Sequence, residues 1–422
     1  MRGLLIGGLI LSFAASAASQ DTVSLYTCYS KAREHYPATR DKILYQESSD
    51  LRLRNIANTW FPQFTLGAQS SYQSDVTHIS VALPLPGVSF PTPGKDQYKL
   101  SLDVSQTLYD GSLSKRQKEL ERTSNLSDIQ QLEVELYQLK DRVNSVYFSV
   151  LLLTENEKLL RTARQTIEEK RKSLESAVKN GVSTQSDLDV LDAELLKMDD
   201  KIFAASQDRM TAIDILNELT GEKFNYEKTF LMPAPPVPDT TAGIRPEQVL
   251  YDLQMQKIDK SIRVTGSRTL PRIALFTQVG YANPALNMLS NKFDTYYIIG
   301  ATLKWNFWDW HATKRDKEVL GIQKDLVADR KSVFELNRDI SLRTESARMN
   351  KFKKSVELNE KEVRLRKNIA ETSSFRLSSG VITATDYLND LNAQLQAELN
   401  LEINQASLIQ SVINYQNIKG EK

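Results

Sequence analysis

Between Tyr98 and Leu108 the side chains alternate in character. Tyr98, Leu100, Leu102, Val104 and Leu108 fall on one side, and Lys99, Ser101, Asp103, Ser105 and Thr107 on the other. A period of two marks a strand with one apolar and one polar face. At Asp110 the alternation gives way to a helical period, and Asp110 stands where its carboxylate can accept from the first helical turn. The same unit returns over 297–318, with Asp309 in the place of Asp110 and an offset of 297 − 98 = 199. The pattern predicts a tandem repeat of a strand that turns into a long helix.

Each of these strands has a partner upstream. Pro62 and Pro271 each open a strand, over 61–72 and 270–281, and proline at that position removes no ladder bond. Loops rich in Pro, Gly and Asn follow at 77–95 and about 284–294, so each half carries one β-hairpin, over 61–109 and 270–308. Strands of this length suit a tilted crossing of a bilayer, which takes about 9–11 residues. Trp60, Phe61, Trp305, Phe307, Trp308 and Trp310 gather at one end of the hairpins. Tyr72, Tyr98, Tyr281, Tyr296 and Tyr297 gather at the other. Two aromatic girdles around an apolar band are what interfacial anchoring produces. A soluble sheet packed on helices gives the same alternation.

Downstream of Asp110, Ile129, Leu132, Leu136, Leu139, Val143, Val146, Val150 and Leu153 follow a 3,4 spacing, continued at sevens by Leu160, Ile167 and Leu174. That is a coiled-coil period, and a helix from 110 to about 178 is on the order of 100 Å long at ~1.5 Å per residue. It stops at Gly181, and Thr184 with Asp187 forms a capping box that opens a return helix with Leu188, Leu191, Leu195, Met198, Ile202 and Ala205 on its seam. The second copy repeats this as Gly380, Thr383 and Asp386. The predicted organisation is a leader over 1–19, repeat 1 over 20–230 with its helix hairpin at 110–220, a Pro-rich linker at 231–243, and repeat 2 over 244–422 with its helix hairpin at 309–419.

Composition adds constraints. Lys and Arg number 54 against 53 Asp and Glu, a balance that gives no reason to expect a nucleic-acid partner. Arg2, the apolar run Leu4–Ala15 and the small residues Ala15 and Ala17 read as a secretory signal peptide. Past it no apolar run reaches the ~18 residues of a membrane-spanning helix, so a membrane crossing would have to use strands. Cys28, the single cysteine, cannot form an internal disulfide and reads as a structural thiol. His35, His78 and His311 stand apart from one another and from any acid at ligand spacing, so no enzyme, metal or cofactor is expected. Four strands are also too few to close a membrane barrel, which takes about eight, so several chains would have to share one.

Taken together, Pro62 and Pro271, Asp110 and Asp309, the turns Gly181–Asp187 and Gly380–Asp386, and the repeat ends Leu219–Gly221 and Ile418–Gly420 give the chain a resemblance to the TolC-type outer-membrane efflux family. The resemblance implies a mixed α/β membrane protein built from two tandem repeats, a homotrimer with a shared 12-stranded transmembrane β-barrel and a long periplasmic coiled-coil α-barrel. It would sit in outer-membrane lipid, extend into the periplasm, and act as the exit duct for an inner-membrane pump or ABC exporter of a type I secretion system, docked through a periplasmic adaptor. The turns holding Gly181, Val182, Thr184, Gly380, Val381 and Thr383 would be the docking tips. Asp386 matches an aspartate that lines the periplasmic constriction in some members, and Asp187 matches the inter-helix partner position. A second ring acid would fall on Asn389 or Asp390, and Ile382 stands where an arginine can serve as a gating link. From the residues alone, Asp187 and Asp386 read both as helix caps and as an acidic ring at a tapered tip. The competing architecture is a periplasmic coiled-coil adaptor or scaffold with no membrane span.

Overall fold

The computed structural model describes residues 22–77, 92–234 and 243–420. The leader, His78, most of the first loop and the centre of the linker lie outside them. In chain order the elements are β1 (Thr22–Val23), α1 (Leu25–His35), α2 (Asp41–Ala57), β2 (Gln63–Tyr72), β3 (Asp96–Tyr109), α3 (Leu113–Lys179), α4 (Gln185–Thr220), β4 (Thr229–Phe230), α5 (Pro246–Thr265), β5 (Arg272–Asn283), β6 (Asp294–Lys304), α6 (Ala312–Ser378) and α7 (Ala384–Lys419). The two long helices have 67 residues each and the two return helices 36 each.

Contacts divide the chain into two compact units that cut across its two halves. One comprises residues 1–39, 135–243 and 338–422, and the other 40–134 and 244–337. The second unit holds a four-stranded antiparallel sheet in the order β2-β3-β5-β6. Both hairpins are present, and β3 joins them by pairing with β5. The sheet is open among the described residues, with β2 and β6 as its edges.

The first unit is built on the predicted seam. Leu139, Val143, Val150, Leu160, Ile167 and Leu174 of α3 are buried, as are Leu188, Leu191, Met198, Ile202 and Ala205 of α4. The antiparallel register is held at the rim by Arg164 on Asp199 at 2.6 Å and Arg171 on Asp192, seven residues forward on α3 and seven back on α4. Against the 139–151 stretch of α3 lies a short parallel pair, Thr22–Val23 with Thr229–Phe230. Tyr147, fully buried, places its hydroxyl 2.8 Å from the Val23 carbonyl and 2.7 Å from the Leu231 carbonyl. Two residues are too short a run to show a period, so nothing in the sequence pattern pointed to this pair. Cys28 is buried in the same cluster, which pushes its thiol up to about 12 and leaves it inert as a nucleophile.

The joints between strand and helix differ from expectation in one respect. The helices begin at Leu113 and Ala312, three residues past Asp110 and Asp309. Two left-handed residues intervene in each copy, Gly111 and Ser112 in the first, Trp310 and His311 in the second. This turn redirects the chain, and the aspartate then reaches forward over it. Asp110 accepts from the Ser114 backbone N–H at 2.7 Å and Asp309 from that of Thr313 at 2.9 Å. Gly111 has a second reason to lack a side chain, since a Cβ there would lie 2.8 Å from that of Leu270.

Candidate functional site

Two regions hold the residues singled out by sequence: the faces of the sheet in one unit and the helix turns in the other. In the sheet the register puts Phe64, Leu66, Leu100, Leu102, Leu275 and Val279 on one face, all exposed. Tyr297, Ile299 and Leu303 continue it on β6, with Ile299 70 % exposed. An apolar face of this extent is far beyond the scattered apolar residues of an ordinary protein surface.

The opposite face is polar and cross-linked. Ser101 donates to Asp103 at 3.1 Å, Lys99 donates to Gln278 at 3.1 Å, and Gln278 in turn donates to Asp103. The Tyr296 hydroxyl joins the network through Gln278 at 3.2 Å. This corrects the placement of Tyr296 in the outer aromatic girdle. Its ring lies on the polar face because Gly280 stands opposite in the register and leaves the room; a Cβ at Gly280 would lie 2.5 Å from that ring. Gly300 makes the same accommodation for Phe276, at 2.7 Å. Such glycine–aromatic pairs cover the bare backbone of a glycine in a strand. Thr302 and Lys304 share this face at the far end of β6.

At the helix turns, Gly181 and Gly380 adopt φ of +73° and +68°, the left-handed conformation that ends each long helix at no steric cost. Thr184 and Asp187, and likewise Thr383 and Asp386, form reciprocal capping boxes. The two aspartates nonetheless differ. Asp187 is half-buried and accepts from the Thr184 hydroxyl at 2.7 Å, the Ser183 hydroxyl at 3.2 Å and the backbone N–H of Ala384 at 3.0 Å. It therefore ties the first turn to the second. Asp386 is exposed and bonded only within its own cap, to Thr383. Asp390 accepts from the buried Ser373 hydroxyl of α6, and Asn389 is exposed. Lys170 supports the same junction, donating to the Ser374 carbonyl and the Ser378 hydroxyl at 3.0 Å each, with the Tyr387 ring beside it. The links from Asp187 and Lys170 span 197 to 208 residues of sequence, beyond the reach of any local pattern.

The bond from Ala384, more than any other, holds the Asp187 carboxyl below the usual range. A lowered folded-state value means that the carboxylate stabilises the fold fully above its ordinary value near 3.8, and that this contribution is lost as pH falls through the lower folded value. In an acid titration followed by circular dichroism, Asp187→Asn is expected to start less stable at neutral pH. It should then lose less stability than the parent below about pH 4. Parallel acid losses in both proteins would remove Asp187 from this role.

Residues 28–222 match the family model described as outer membrane efflux protein. This is a match to the outer membrane efflux family. Solved structures extend the likeness over nearly the whole chain. The structure of CusC, described with its folding and transmembrane channel formation, aligns at TM-score 0.74 with 13 % identity, covering 94 % of this chain and 92 % of that one. The CmeC outer membrane channel of Campylobacter jejuni aligns at 0.69 with 15 % identity, covering 94 % and 85 %. The open-state MtrE outer membrane channel of Neisseria gonorrhoeae aligns at 0.68 with 16 % identity, covering 94 % and 89 %. No curated protein sequence matches the chain. The fold is thus the mixed, mostly helical fold of these outer membrane channels. Among the described residues no helix is long and apolar enough to cross a membrane.

Proposed function

We propose that the protein is the outer-membrane exit duct of a tripartite efflux pump or type I secretion system, conducting substrates passively from a periplasmic adaptor and an inner-membrane transporter to the exterior. The observation that carries this reading is the four-stranded sheet, apolar and exposed on one face, polar and hydrogen-bonded on the other. Such a sheet satisfies a lipid outside and a water-filled lumen inside, provided its two open edges are paired. Three chains contributing four strands each would make a closed barrel of twelve. The two tandem repeats, 20–230 and 244–422, would each supply one β-hairpin and one helix hairpin. A leader over 1–19 and the linker 231–243 complete the proposed organisation.

A second feature supports the trimer. On α6, Val319, Ile322, Leu326, Val333, Leu336 and Ile340 follow a heptad spacing and are all more than half exposed. A heptad seam left exposed among the described residues suits the side of a neighbouring subunit in a helical tube. The tips at Gly181, Val182, Thr184, Gly380, Val381 and Thr383 would face the adaptor. Of the three candidate ring acids, Asp386 is the best placed to meet ions, because Asp187 and Asp390 are already engaged by neighbours.

Fractionation tests the reading directly: the protein should sediment with the outer membrane as a trimer under mild cross-linking. A soluble periplasmic monomer would instead favour an adaptor or scaffold. In reconstituted channels, Asp386→Asn is expected to lower cation selectivity several-fold, as removal of one charge from each of three subunits in a narrow ring would. Unchanged selectivity and unchanged block by divalent cations would take Asp386 out of the lumen.

A further inference from the structure

Apart from the capping carboxylates of Asp110 and Asp309, both long helices open on positive charge. Neither carries an acid in its first turn, and each begins with Lys-Arg-x-Lys, 115–118 in α3 and 314–317 in α6. The N-terminal end of a helix is electropositive and favours carboxylates there, so these cations do not serve the helix itself. In the second copy Arg315 donates to the Trp310 carbonyl at 3.0 Å, Lys314 lies 4.0 Å from Glu318, and the intervening Asp316 pairs with Arg268 at 2.7 Å. In the first copy Arg116 is likewise spoken for by the Arg263 carbonyl and Ser267.

Lys115, Lys118 and Arg122 are different. At spacings of three and four they share one side of α3 and line an open cleft of about 390 Å³ whose other walls include Trp60 and Tyr109. Two carboxylates also border it. Glu119 is drawn chiefly to Lys260, at 3.0 Å, with Lys115 a weaker influence, and Asp110 serves as a cap on Ser114. The cleft is therefore cationic with aromatic walls. Its position is set by Gln106, which pairs across the sheet with Leu275 on the apolar face and whose amide donates to the Trp60 carbonyl at 2.7 Å. Trp60 thus stands at the foot of the apolar face.

We propose that this cleft binds the phosphate headgroup of an anionic phospholipid, with Lys115, Lys118 and Arg122 on the phosphate and Trp60 and Tyr109 at the glycerol level. The assignment rests on the membrane-spanning reading of the sheet. An indole beside cations at the end of an apolar band is the arrangement that sits at a bilayer's headgroup layer and attracts anionic lipid. In the second copy Gly321 stands in the place of Arg122, so the three-cation set occurs at the first joint and one site per chain is expected.

The test uses the full-length protein in neutral detergent, titrated with brominated phosphatidylglycerol or brominated phosphatidylcholine while tryptophan fluorescence is followed. Saturable quenching by phosphatidylglycerol at concentrations where phosphatidylcholine has little effect is expected. The variant Lys115→Gln/Lys118→Gln/Arg122→Gln should lower that affinity by about a hundredfold. Lys354→Gln/Lys361→Gln, on the exposed side of α6, should not change it. If the triple variant fails to fold, Trp60→Phe serves instead and should remove the phosphatidylglycerol-specific part of the quench. Equal quenching by both lipids, an unchanged affinity in the triple variant, or full displacement of the lipid by millimolar inorganic phosphate would overturn the proposal. Insertion of the unmodified protein into vesicles is scored separately. Failure to insert refutes the membrane duct, and insertion without lipid preference refutes the headgroup site alone.

Discussion

Tyr147→Ala is expected to destabilise the helical unit by about 3–5 kcal/mol, the cost of emptying a fully buried aromatic site in a core that cannot collapse around it. The ring packs edge-on against Phe148 and Phe230, with centroids 6.4 and 5.7 Å away. Its hydroxyl shares its single proton between the Val23 carbonyl of β1 and the Leu231 carbonyl just past β4, so truncation also strips a donor from buried backbone. Tyr147→Phe separates the two contributions. It keeps the ring and removes only the hydrogen bond, for a cost of about 1–2 kcal/mol. Urea unfolding followed by far-ultraviolet circular dichroism measures both. Equal losses in the two variants would mean that the ring fills no essential volume.

Gly280→Val carries the second large effect. Its Cβ would fall 2.5 Å from the Tyr296 ring, a distance at which one of the two must move. Overpacking of this kind costs typically about 1–3 kcal/mol, and here it also pulls the Tyr296 hydroxyl away from Gln278. The expected readout is a lower melting temperature of the purified protein. Tyr296→Ala in the same chain should recover a substantial part of the loss, because the obstructing ring is gone. Strictly additive effects of the two substitutions would show that the ring and the glycine do not constrain each other.

These two sites mark the limit of what was legible in the sequence. Ile167, Leu191 and Met198 could be placed in a buried seam from spacing alone, since a heptad period leaves one side of a helix to be covered. The glycine stops and the Thr–Asp capping boxes were equally local, four residues deciding each. Tyr296 was misplaced because an aromatic residue beside Tyr297 fits a girdle as well as an inner wall. Only the identity of the residue across the strand, Gly280, decides between them. Asp187 and Asp386 occupy equivalent places in their repeats and read alike, yet the fold gives one a cross-link to Ala384 and leaves the other exposed. The exposed heptad of α6 was hidden for the opposite reason: periodicity reports that a stripe is apolar and is silent about which chain covers it.

Glycine in one copy and tryptophan in the other at the same left-handed joint position, Gly111 and Trp310, show that the duplicated halves have stopped being interchangeable. The interleaving of the two compact units binds those halves into one object all the same. The core around Ile167, Leu191 and Met198 is completed by Leu377, Tyr387, Leu388 and Leu391, about two hundred residues downstream. A ribosome delivers these groups long after the seam they cover. The seam of α3 and α4 therefore stays partly uncovered until residues 377–391 join it, so the helical unit cannot finish its core one repeat at a time.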